Sequence, residues 1–451
     1  MEPRDLTVSE ASKLIQKREL SAVQLMESQF ERIQDWEPSI KAWVTLDYEE
    51  ALAAAQEADE ELNTRGSRGP LHGIHIGLKD IFYSKGINTT ACSPTHVDFI
   101  PSYDATCVAN LKNAGAIIQG KLVTTQFADG DPSPTRNPWN TEHTPGGSSS
   151  GPGAAVASRM CSAALGSQTG GSTLRPAAYN GVVGLKPTYG RISKHGVIPL
   201  AWSLDTVGLL TRNVEDAALL LQIMAGYDSN DPASAHEGTA NYVAALEKTR
   251  TPPRIGIVRE FFYDNASEEM AALTNDAAER LSKAGAHVEE VTLPPSFYTH
   301  EAARSIVMST ETSAFHYETF KKQPESYGPS LQRTIRTGAL ISAIEYLQAQ
   351  RVRRQFRADM ETTFARFDVL LTPTTPTSAP KDLNTTGNPL FQSPWTSCGT
   401  PTISLPTGLD NSDMPVGVQL ISGPFTEASL LSVASWCEKL LNVQLVPPGP
   451  M

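Results

Sequence analysis

Cysteine is scarce in this chain of 451 residues: five are present, Cys92, Cys107, Cys161, Cys398 and Cys437, scattered and odd in number. No CxxC pair occurs, so neither a disulfide framework nor a zinc ribbon is indicated. No run of about 18 apolar residues occurs, so no segment is expected to cross a bilayer. The N-terminal MEPRDLTVSE lacks the basic and apolar regions of a secretory signal. Basic charge is also short. Lys and Arg number 37 against 49 Asp and Glu, a net charge of -12, which argues against a nucleic-acid backbone or an anionic membrane as partner. Tandem repeats and low-complexity linkers are absent as well. What is there is a hydrophobic content of 40% with 19% charged residues, which excludes a largely disordered chain. The expectation is a reduced, cytoplasmic protein with no membrane partner and no nucleic-acid partner.

The first 65 residues read as helices. Thr7-x-x-Glu10 and Ser21-x-x-Gln24 are capping boxes, and Val23, Met26, Phe30 and Ile33 recur at helical spacing after the second. Strand signals follow. Ile74, Ile76 and Leu78 alternate with His75, Gly77 and Lys79, a period of two. Short apolar runs recur at 116–118, 182–185, 254–258, 287–293, 368–371, 402–405 and 416–421. Helical patterns separate them at 108–114, 214–225, 268–284, 339–364 and 427–441. Strands interleaved with helices predict an α/β fold with a largely parallel or mixed sheet. One domain over 1–451 is expected: a helical wrapping segment over 1–65, a catalytic core over 72–225, and the remaining sheet and pocket elements over 254–451. The polar stretches 227–253 and 378–394 are candidate surface lids.

The unusual region is 144–186, with Gly-Ser clusters at Gly146–Gly153 and Gly170–Ser172 joined by an Ala-rich segment. A flexible linker would not be interrupted by an apolar helical segment and followed by a strand. No GxxxxGK[ST] or GxGxxG pattern is present, so a phosphate cradle is not indicated. Gly147-Ser148-Ser149-Ser150-Gly151 fits GxSxG, but turn residues rather than a strand precede it, unlike an α/β-hydrolase elbow.

The chain resembles the amidase signature family. The likeness is carried by His72-Gly73-Ile74 through Leu78-Lys79-Asp80, by Thr144-Pro145-Gly146-Gly147-Ser148-Ser149, by Thr169-Gly170-Gly171-Ser172, and by Gly184-Leu185-Lys186-Pro187-Thr188. Leu371-Thr372-Pro373-Thr374, Gly399-x-Pro401 and Val416-Gly417-Val418-Gln419 continue it in order. The resemblance implies Lys79 as general base, Ser148 as relay serine after a cis peptide, and Ser172 as nucleophile. It implies an α/β fold with a large mixed, twisted sheet covered by helices on both faces, an oxyanion hole from the N–H groups of Thr169, Gly170, Gly171 and Ser172, and neither metal nor organic cofactor.

Chemistry explains why these residue types belong together. A serine hydroxyl attacks an amide only when a base takes its proton, and lysine is a base only when neutral. That asks for a downward pKa shift of roughly three units, about 4 kcal/mol, which burial without a carboxylate partner supplies. Asp80 is next in sequence, but alternation on a strand turns it away.

Two departures bear on substrate. The usual family GSDTGGSIR reads here Gly166-Ser167-Gln168-Thr169-Gly170-Gly171-Ser172-Thr173-Leu174-Arg175, so an expected acid is Gln168 and the arginine is displaced by one. Neutral contacts are expected to replace that pair. The family's glutamine-using tRNA amidotransferase subunits also carry an acid ahead of Gly-x-Pro. Residues 387–398 hold none and offer Leu390, Phe391 and Trp395, which can bury an apolar group or fill core. The expectation is a hydrolase of apolar or aryl amides and carbamates, most like urethanase-type members, with a small-molecule substrate and possible homodimer formation. The alternative is the glutamine-hydrolysing member of a tRNA amidotransferase complex, its A-type chain.

Overall fold

The alternating Ile74–Leu78 stretch folds as a strand, and ten others join it in one mixed sheet. In chain order they are β1 (Trp43–Leu46), β2 (His75–Lys79), β3 (Ile117–Leu122), β4 (Ala163–Gln168), β5 (Val183–Lys186), β6 (Thr206–Thr211), β7 (Arg254–Ile257), β8 (His287–Glu290), β9 (Val369–Pro373), β10 (Thr402–Leu409) and β11 (Pro415–Ile421). The structure, a computed structural model, describes residues 2–247 and 252–450. Across the sheet the order is β1-β3-β2-β4-β6-β5-β10-β11-β9-β7-β8. β2 runs parallel to both β3 and β4, whereas β4, β6, β5, β10, β11 and β9 are antiparallel in succession.

Every residue of β2, β4, β5, β6, β9 and β11 is buried. A sheet covered on both faces needs side chains on each face that tolerate removal from water, which is why several strands read as unbroken apolar runs. It also puts Lys79, at the end of β2, out of solvent. Among the described residues, no helix is long and apolar enough to cross a membrane.

Local chemistry set several boundaries as read. Thr7 and Ser21 close reciprocal capping boxes on helices Val8–Gln16 and Ala22–Ile40. Elsewhere the structure corrects the reading. The first 65 residues include β1, because Lys41 takes a left-handed conformation and the Glu37 carboxylate accepts the N–H groups of Ala42 and Trp43, ending the helix. The expected helix over 339–364 is two, Pro329–Leu340 and Ala343–Phe364, since Ser342 opens a new capping box with Glu345. β6 had no expected counterpart. The 227–253 excursion contains a short helix, Tyr242–Glu247, and its residues 248–251 lie outside the described residues.

Candidate active site

The parallel pairing of β2 and β4 brings their C-terminal ends side by side. Lys79 is the last residue of β2, and Ser167 is the penultimate residue of β4. The Lys79 amine lies 2.7 Å from Ser148 Oγ and 2.8 Å from Ser167 Oγ. A neutral amine suits this position: its lone pair accepts from one hydroxyl while an N–H donates to the other. Burial pulls Lys79 from 10.5 down to about 7, with Asp205 and then Cys92 acting upward against it. Asp80 does not oppose this. Its carboxylate accepts from Thr90 N at 3.0 Å and sits 3.8 Å from the Lys121 amine, on the other face of the strand.

Ser148 follows a cis Gly147–Ser148 peptide and precedes helix Ser150–Ala157. The next residue ties this loop to the nucleophile candidate, for Ser149 N donates to Ser172 O at 3.2 Å. Ser149 Oγ also accepts from Ser167 N at 3.2 Å. Among the described residues no hydrogen bond joins the Ser148 and Ser172 hydroxyls. The pair is juxtaposed through the backbone, and Ser172 is nearly buried.

Residues 169–172 turn the chain from β4 into helix Leu174–Asn180. The helix starts at Leu174, two residues after Ser172. The reason is Gln168, whose Oε1 accepts from Thr173 N at 3.0 Å and Leu174 N at 3.1 Å, while its Nε2 donates to Thr396 Oγ1 at 3.0 Å. The carbonyls of the turn are held outward: Gly170 O accepts from Thr396 Oγ1, Gly171 O from Arg175 N, and Ser172 O from Ser149 N. The N–H groups of Gly170, Gly171 and Ser172 have no protein acceptor among the described residues. Thr169 N–H has none either, and its Oγ1 donates to Asp205 Oδ1 at 2.5 Å. Glycine at 171 is required by space, because a Cβ there would collide with Gln392 Oε1.

Charge gathers beside this turn. Arg175 is buried; its Nη2 donates to Gly147 O and, at 3.2 Å, to Thr386 Oγ1. Its Nε and Nη1 have no partner among the described residues. Burial lowers the guanidinium to about 10, with Tyr179 acting upward and Arg304 downward. Arg304 Nη1 approaches within 3.6 Å of where a Gly170 Cβ would stand. Its Nε donates to Glu301 Oε2 at 3.0 Å, and Glu301 also accepts from Ser393 Oγ at 2.9 Å.

The proposed apolar pocket is corrected by packing. Phe391 and Trp395 are fully buried in a cluster with Phe262, Phe297 and Phe356, and Leu390 packs against it half-buried. The Trp395 and Phe262 rings stack 5.9 Å apart. These faces cover one another and are not open to a ligand. Ser167, Asp205, Glu301 and Arg304 were missed in the sequence. Ser167 could have been found from its own strand, two residues before Thr169 and therefore on the same face. The other three reach the site only through the fold.

Comparison with known proteins adds identity to this geometry. The amidase family pattern matches residues 24–431. The A-type subunit of the glutamyl-tRNA(Gln) amidotransferase of Geobacter metallireducens is 39% identical, covering 96% of this chain and 97% of its own length. The corresponding protein of a Geobacillus species is 40% identical over 99% of each chain. Among solved structures, the peptide amidase of Stenotrophomonas maltophilia superposes with a TM-score of 0.87 at 28% identity, covering 98% of both chains. The full-length relatives overturn two expectations. A hydrolase of apolar or aryl amides and carbamates is not what they are, and a partner set confined to small molecules without nucleic acid does not fit proteins named as subunits of a tRNA amidotransferase. The urethanase-type likeness has no support among them. The buried aromatics and the lone guanidinium agree with the correction.

Proposed function

The chain belongs to the amidase family, and on that footing we propose that it releases ammonia from the side-chain carboxamide of glutamine as the glutaminase component of a tRNA-dependent amidotransferase. Ser172 Oγ attacks the carboxamide carbon. Its proton passes to Ser148 as the Ser148 proton passes to the Lys79 amine. The oxyanion forms against the N–H groups of Gly170, Gly171 and Ser172, with Thr169 N–H completing the turn. As the tetrahedral centre collapses, the Lys79 proton returns through Ser148 to the leaving nitrogen, and ammonia departs. Water then repeats the path against the acyl-enzyme and frees glutamate. Ammonia goes to an acyl-tRNA held by partner subunits.

The observation that carries glutamine over an apolar amide is Arg175. A buried guanidinium with two unpartnered nitrogens, three N–H groups between them, and no carboxylate is a costly thing to bury. An acid-bearing substrate relieves that cost, and arginine binds carboxylates better than any other side chain. The ammonium end of glutamine finds Glu301, which reaches the acid-free 387–398 segment through Ser393. The test is ammonia release from L-glutamine by the purified chain, alone and with the partner subunits and glutamyl-tRNA, against Ser172→Ala as blank. Release that depends on Ser172 supports the reading. Turnover of butyramide with none of glutamine in either setting refutes it.

A further inference from the structure

Asp205 immediately precedes β6, and the Gln168↔Thr206 pairing of β4 with β6 sets it across from Thr169. Its carboxylate is buried. Oδ1 accepts from Thr169 Oγ1 at 2.5 Å and from Ala201 N at 3.2 Å, and Oδ2 accepts from Leu200 N at 2.9 Å and Ala201 N at 3.0 Å. All of these donors are neutral, and no ion pair to Asp205 forms among the described residues. A buried carboxylate is expensive, and its neutral donors, with the Lys194 ammonium facing it beyond ion-pair distance, only partly offset that. The other side of the same short segment holds the Lys79 amine through Ser167. Ser167, Thr169 and Asp205 line one small cavity, so the side chains that bind Lys79 and Asp205 meet there.

We infer that Asp205 is a positioning residue that fixes the oxyanion turn through Thr169 and provides the counter-charge for the Lys79 ammonium formed when Ser172 attacks. It takes no proton itself: the Ser172 proton ends on Lys79 and is later given to the leaving nitrogen. The inference rests on the reaction proposed above. The other groups facing these two leave the role to Asp205. Cys92 is a neutral thiol, pushed up to about 12 by burial. Asp80 is turned to Lys121. Lys194, which faces Asp205, spends its amine on Trp202 O and the Tyr189 ring 4.2 Å away.

The test is the pH dependence of ammonia release from L-glutamine and from butyramide, for wild type, Asp205→Asn and Thr169→Val. In wild type an acid limb is expected near the Lys79 value. Asp205→Asn moves that limb to lower pH by on the order of one unit and lowers the plateau by on the order of tenfold, since the same ammonium is destabilised in both. Thr169→Val lowers the plateau and leaves the limb in place. Should Asp205→Asn fail to fold, Asp205→Ser carries the same expectation, and Thr169→Val tests the contact from its other end. A folded neutral variant with an unmoved limb, or Thr169→Val at wild-type rate, overturns the inference. Turnover of butyramide alone refutes the glutamine reading while the limb is still read on butyramide. No turnover of either refutes both.

Discussion

Replacing Lys79 by methionine should abolish amide cleavage and yet raise the melting temperature at neutral pH. In the folded protein the amine titrates at about 7 against 10.5 when free. Between these values the unfolded chain binds the extra proton, so wild-type stability rises with pH across that window and is lowest below it. The linkage integral places the burden at about 4 kcal/mol at pH 7 and about 2 kcal/mol at pH 9. Methionine fills nearly the same volume and carries none of it, though it forfeits two hydrogen bonds worth about 1 kcal/mol each. For a chain of 451 residues, at about 2.1 cal/mol/K per residue, 1 kcal/mol corresponds to about 1 °C. Lys79→Met should therefore melt about 2 °C above wild type at pH 7, and the gap should close to about zero at pH 9. The assay is calorimetry at one scan rate for both proteins at both pH values, with activity measured alongside. Lys186 and Lys121 are also buried and lowered, to about 7 and about 8, but they titrate alike in both proteins and cancel. A gap that is negative at pH 7, or that widens with pH, would refute a neutral buried amine.

Gly171→Ala should leave the fold intact and cost on the order of 100-fold in kcat, because its methyl group displaces a turn already closed by Gln392; activity within a few-fold of wild type would remove that turn from the reaction. Arg175→Gln, which also releases Gly147 O, should raise KM for glutamine by on the order of tenfold or more beyond its effect on butyramide; equal losses on both would make Arg175 a scaffold residue. Trp395→Ala should lower stability by about 3 to 5 kcal/mol without altering the preference among amides; a gain of activity on anilides, read by p-nitroaniline release, would return Trp395 to the pocket.

What could be read in the sequence was whatever is local. The Ile74–Leu78 alternation, the capping boxes at Thr7 and Ser21, and the Gly-Ser clusters around Ser148 and Ser172 each encode their geometry within a few residues. Lys79, Ser148 and the 169–172 turn were named from those patterns and a family resemblance, and the fold brings them to one place. What stayed hidden depends on register. Asp205 meets Thr169 only because β6 pairs antiparallel with β4, a pairing that neither segment encodes by itself. Arg304 and Glu301 arrive on a helix over 100 residues downstream. Leu390, Phe391 and Trp395 show the opposite failure: composition alone cannot tell an open apolar wall from a closed core. Phe262, Phe297 and Phe356, distant in sequence, decide that question by covering them.

The central claim is tested most directly by mixing the protein with L-glutamine, quenching in acid and mapping the adduct by mass spectrometry, with Ser172→Ala and Lys79→Met in parallel. The account predicts one γ-glutamyl group esterified to Ser172 in wild type, formed together with ammonia, and none in either variant. A γ-glutamyl group on another side chain, or ammonia released at the wild-type rate by Ser172→Ala, would contradict it.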